Sequence, residues 1–143
     1  MNKLSFKVLV INIFIPIIVG AIIYYLISPE VIFVKQIDAT MNVDFHISGL
    51  STENIIIQFM RNHFLDMLWG YALIFALFFV LGNNTAVIWK TFLIAFSFSA
   101  IMEILQITPI VKGTFDVWDI VALFVAEVIA VFIINNFTAE EER

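Results

Sequence analysis

The sequence predicts an all-α membrane protein with four transmembrane helices. Three observations lead there. Of 143 residues, 62% are hydrophobic and only 13% are charged. Mean hydropathy is +1.04. The apolar residues also fall into four runs separated by turn-forming residues. A water-soluble domain of this length is mostly surface and could not cover so much apolar area. The solvent for much of the chain must therefore be lipid, and the length suits a single membrane domain.

The first helix is expected over residues 8–28. Val8 to Ile27 is apolar except for Asn12, Pro16 and Gly20, and matches the roughly 20 residues that a spanning helix needs. Lys3 and Lys7 precede it. A signal peptide would have a shorter apolar region and a small-residue cleavage site. Here Tyr24, Tyr25 and Ser28-Pro29-Glu30 follow instead, so the helix is read as uncleaved, with its tyrosines at an interface.

Residues 29–63 form the expected extracytoplasmic segment. Val43 to Ser48 alternates apolar and polar residues like a half-buried strand. Val31 to Ile37 is its expected partner in a β-hairpin. Ser51 reads as an N-cap, with Leu50 and Ile55 as a hydrophobic staple. Ile55, Ile56, Phe59, Met60 and His63 then recur at helical spacing. They suit an amphipathic helix lying on the membrane surface, or equally one packed on the hairpin, and running into helix two.

Helix two is expected over residues 64–82 and helix three over residues 86–106, joined by the turn Gly82-Asn83-Asn84-Thr85. Helix four is expected over residues 116–135, and residues 138–143 form a solvated acidic tail. An N-in orientation puts Lys3, Lys7, Lys90 and Arg143 inside and Lys35, Arg61 and Lys112 outside. That small bias and the N-terminal lysine pair favour N-in and C-in.

This topology gathers the ionisable residues. Asp66 opens helix two, Glu103 and Gln106 close helix three, and Asp116 and Asp119 open helix four. Arg61 and Lys112 flank them. In an antiparallel bundle all of these lie at one membrane level. Glu103 shares a helix face with Gln106, as Asp116 does with Asp119. Glu127 falls near the Asp116 stripe but about 16 Å deeper, as an intramembrane acid whose insertion costs a few kcal/mol. Small residues repeat every fourth position at Ala122, Ala126 and Ala130, at Ala95 and Ser99, and at Ala72 and Ala76. Such stripes allow close helix packing in lipid.

Several functions fit this cluster. A carboxylate could act as general base on a lipid-linked substrate. Clustered oxygens could hold a hard cation. Arg61 and Lys112 could pair with the phosphate of a headgroup or an antibiotic. The structural alternative is Arg61–Asp66 and Lys112–Asp116 pairs at helix starts, where the helix dipole favours anions. Glu103 sits near a helix C-terminus, where a negative charge is disfavoured, and is therefore the strongest functional candidate. Trp69 and Trp118 read as interface anchors. There is no Cys, which excludes thiolate chemistry. Two histidines are too few for a His-rich zinc site; no metal and no cofactor is assigned. No basic patch suggests nucleic acid.

Arg61-Asn62, then Asp66-Met67-Leu68-Trp69-Gly70-Tyr71, then Glu103-Ile104-Leu105-Gln106, then Gly113-Thr114-Phe115-Asp116-Val117-Trp118-Asp119 resemble the VanZ-like family. The resemblance spans Arg61 to about Ala130. That family comprises small membrane proteins of bacteria, whose founding member is associated with reduced susceptibility to teicoplanin-type glycopeptides. The resemblance implies a multi-pass protein of the bacterial cytoplasmic membrane. It would act at the outer leaflet on, or recognise, a lipid-linked cell-wall precursor or a lipophilic glycopeptide. The sequence departs from the family where an Asn and a Gly often follow the helix-four Asp; Leu123 and Ala126 stand there. A non-catalytic membrane subunit or immunity-type protein, including a homo-oligomer, is one alternative. A carboxylate-dependent intramembrane enzyme on a lipid-linked phosphate is the other.

Overall fold

The computed structural model describes residues 4–28, 31–42, 46, 55–111 and 113–140, apart from the side chains of Phe33, Arg61, Ala139 and Glu140. The expected strand at Val43 to Ser48, the Leu50–Ser51 start signal, Lys112 and the end of the acidic tail fall wholly or largely outside these residues.

Helix α1 runs Phe6–Ile27. A chain in lipid must satisfy its backbone polar groups internally, and a helix does so without a partner. Pro16 sits inside α1, where it removes one backbone donor. Asn12 serves two purposes. Its amide donates to the Val8 carbonyl at 2.8 Å, and its Oδ1 accepts from the Tyr71 hydroxyl at 2.5 Å. The second bond ties α1 to the next long helix.

Helix α2 runs Ile32–Met41 and ends on Asn42, whose φ of 52° is left-handed. This corrects the expected hairpin: residues 32–37 are helical, and no strand occurs among the described residues. The β-branched residues favour a strand locally, but a strand needs an edge to pair with. The helix instead buries Val34 to 1% exposure. One turn on, Asp38 Oδ1 accepts from the Tyr25 hydroxyl of α1 at 2.6 Å. His46 joins them, with Nε2 2.7 Å from Asp38 Oδ2 and Nδ1 3.1 Å from the Tyr25 carbonyl.

Helix α3 (Ile55–Phe59), a π-helical turn (Met60–Phe64) and α4 (Leu65–Leu81) form one continuous rod. The second span therefore begins earlier than residue 64. Gly82, at φ 131°, stops α4. The next residue, Asn83, at φ 47°, has a side chain that donates to the Leu4 carbonyl and accepts from the Leu4 N–H, at 2.8 and 2.9 Å. The start of α1 and the turn after α4 thus share one end of the bundle. A short 3-10 turn (Thr85–Val87) leads into α5, Ile88–Leu105, and α6 follows at Val117–Glu140.

Helix α4 is central. It packs against α1 on one flank and against α5 and α6 on the other. The small-residue stripes lie in these contacts: Ala72, Ala95, Ser99, Ala126 and Ala130 are all buried. The apolar core of Leu9, Phe75, Phe78, Ile88 and Ile134 lies toward the Asn83 end. The outward faces stay apolar, with Phe14, Ile18, Phe98, Ile101 and Phe132 about half or more exposed. A band like this suits lipid and would be a liability in water. Four helices are long and apolar enough to cross a membrane: Phe6–Ile27, Ile55–Leu81, Thr85–Leu105 and Val117–Thr138.

Candidate functional site: a polar cluster at one end of the bundle

The end of the bundle opposite Asn83 collects the start of α4, the end of α5 and the start of α6. Glu103, in the last turn of α5, is only 6% exposed. Both of its oxygens are engaged. Oε1 accepts the Asp116 N–H at 3.0 Å, and Oε2 accepts the Gln106 amide at 2.7 Å. The unfavourable dipole of its own helix is thus offset by the start of the next one. Gln106 needs Gly113 beside it, because a Cβ at Gly113 would overlap the Gln106 side-chain amide.

Asp116 starts α6. Its Oδ1 accepts the Trp118 N–H at 2.9 Å, and its carbonyl accepts the Asp119 N–H at 3.1 Å. Asp119 then points across to the rod before α4, where its Oδ1 lies 2.5 Å from His63 Nδ1. The π-helical turn carries His63. Such turns reset the side-chain phase of a helix and recur at functional sites. Asp66, one turn beyond, is in electrostatic reach of Asp119, Glu103 and His63.

Two hollows meet the cluster. A cavity of about 240 Å³ between α4 and α5 has Asp66, Glu103, Gln106 and Ser99 on its walls beside Trp69 and Phe98. A groove of about 460 Å³ between the α3–α4 rod and α6 is lined by Phe59, Met67, Trp118, Val121, Ala122 and Val125. His63 also lines it, so the groove joins an apolar wall to the His63–Asp119 pair.

Glu127 is separate and deeper. It is fully buried in the bundle. Its Oε1 accepts from Ser99 Oγ at 2.9 Å, while Oε2 has no hydrogen-bond partner among the described residues. Gly70 of α4 lies beside it, where a Cβ would make an ordinary contact 3.5 Å from Glu127 Cγ.

Asp66, Glu103, Gln106, Asp116 and Asp119 therefore converge. The backbone of Arg61 lies in the π-helical turn, but its side chain and all of Lys112 are outside the described residues. His63 is the site residue that sequence reading missed. Its signal was present: it lies three residues before Asp66, a spacing that shares a helix face. Its pairing with Asp119, across 56 positions, was not visible at motif spacing. Ser99 was read as a packing residue and is also the donor to Glu127.

Chemically, the cluster offers carboxylate acceptors and one imidazole at a lipid boundary. Trp69 and Trp118 are 55% and 68% exposed. No family model, no curated protein and no solved structure matches this chain.

Proposed function

We propose that this protein recognises an amphiphile of the bacterial cell envelope at the outer leaflet of the cytoplasmic membrane. The observation that carries this reading is the junction between the polar cluster and the apolar groove beside Ala122 and Val125. A molecule with a donor-rich head and an apolar tail fits both parts at once. Carboxylates accept hydrogen bonds, so the head should present hydroxyl, amide or ammonium donors. Lipid-linked cell-wall precursors and acylated glycopeptides of the teicoplanin type have this form. The resemblance to the VanZ-like family points the same way.

Recognition is favoured over catalysis by the state of Glu103. Both of its oxygens hold neighbouring groups, which suits a positioning residue better than a general base. The test is teicoplanin susceptibility in a sensitive host expressing the intact chain, Ala122→Phe or Asp119→Asn at matched membrane levels. Protection by the intact chain, lost when the groove is filled or the cluster altered, is the expected result. Absence of protection from the intact chain would count against the glycopeptide form of the proposal.

A further inference from the structure

The cluster contains a donor set that amphiphile recognition alone does not require. One ring nitrogen of His63 and one carboxylate oxygen each from Asp116 and Asp119 lie within 4.8 Å of one another. They come from two elements with separate backbones, the π-helical turn and the first turn of α6. All three residues are half-buried. We propose that His63, Asp116 and Asp119 bind a divalent first-row transition cation such as Mn²⁺, Fe²⁺ or Zn²⁺.

Donor chemistry selects that class. One imidazole nitrogen with two carboxylates suits these ions, whereas Ca²⁺ and Mg²⁺ take oxygen ligands alone. Bonds of about 2.1 Å place neighbouring donors about 3.0–3.4 Å apart. The 2.5 Å His63–Asp119 contact must open by less than an ångström to reach that spacing. Without the ion this contact is a hydrogen bond. Asp116 retains an oxygen besides the one that accepts from Trp118. Two further carboxyl groups, Asp66 and Glu103, line the neighbouring cavity, and carboxylates gathered in this way favour a compensating cation. The protein supplies three ligands, so the remaining positions are open, and His63 and Trp118 place them beside the groove. The inference stands on this geometry and does not rest on the amphiphile reading.

The test uses the full chain in detergent, with its affinity tag removed and stripped by chelator. Mn²⁺ is titrated and followed by electron paramagnetic resonance, and pulsed measurements then read nitrogen coupling to the bound ion. One saturable Mn²⁺ per chain with imidazole nitrogen coupling is expected, displaced by Zn²⁺. His63→Gln should abolish the coupling, and both it and Asp119→Asn should weaken binding about tenfold or more. Asp38→Asn, outside the cluster, should leave binding unchanged. No saturable binding of Mn²⁺ or Zn²⁺, or binding without nitrogen coupling, overturns the proposal. The wild-type nitrogen signal decides the matter even if a variant fails to fold.

Discussion

Gly70 of α4 lies against Leu123 and Glu127 of α6. A Cβ there would lie 2.9 Å from Leu123 Cδ2, the far end of a flexible side chain. Gly70→Ala should therefore be close to neutral, because removing a helical glycine gains about 1 kcal/mol and offsets a small shift of Leu123. Gly70→Leu has no such escape and should cost about 1–3 kcal/mol through overpacking. Reversible unfolding in mixed micelles measures both. Leu123 fills the space over Gly70. Ser99→Ala should cost about 1 kcal/mol, because it leaves the buried Glu127 carboxyl without its donor. Adding Glu127→Leu should recover part of that loss, since removing both partners avoids an orphaned polar group.

The α2 attachment belongs to the scale of elements. Tyr25, Asp38 and His46 hold α2 against the end of α1. The Tyr25 carbonyl can only accept, so His46 Nδ1 carries a proton. The Tyr25 hydrogen bond, followed by that of His46, holds the Asp38 carboxyl below its ordinary value of 3.8. A carboxylate with a depressed native pKa contributes its stabilisation above its unfolded pKa and loses it as pH falls through the native one. Amide protection in α2, taken relative to intrinsic exchange rates, should accordingly be high near neutral pH and fall once pH drops below the usual carboxylate range. Asp38→Asn should show low protection at every pH. Protection in α2 that ignores both pH and this substitution would show that the three-residue contact does not hold the helix.

Legibility in the sequence followed from the same physics. The bilayer fixes the length of a spanning segment, so Val8 to Ile27 and the run beginning at Val117 announced their helices. Antiparallel packing then placed Glu103, Asp116 and Asp119 at one level. Val31 to Ile37 has strand composition, while its helix depends on burial of Val34 and on the Tyr25–Asp38 hydrogen bond, which composition does not reveal. His63 was passed over because its partner comes from α6 and its direction is set by a π-helical turn. Neither feature has a periodic signature in sequence.

For the whole molecule, the arrangement implies that the Leu4–Asn83 end and the Asp116 end lie on opposite sides of the bilayer. The chain has no Cys, so single-cysteine variants at Ser5 and Thr114 report this directly with an impermeant reagent. With the N-terminus inside, Thr114→Cys should label in intact cells and Ser5→Cys only after permeabilisation. The reverse pattern would move the cluster to the cytoplasmic leaflet and remove access to an external glycopeptide.

In the proposed function the cluster and the groove act together on one amphiphile. Equilibrium binding of teicoplanin to the full chain in lipid nanodiscs, beside a glycopeptide core without the acyl chain, measures this. Saturable binding of the acylated form is expected, weakened about tenfold or more by Ala122→Phe as the tail loses its buried apolar surface. The unacylated core should bind more weakly and respond little to that substitution. Equal binding of both glycopeptides, unchanged by Ala122→Phe, would contradict the account.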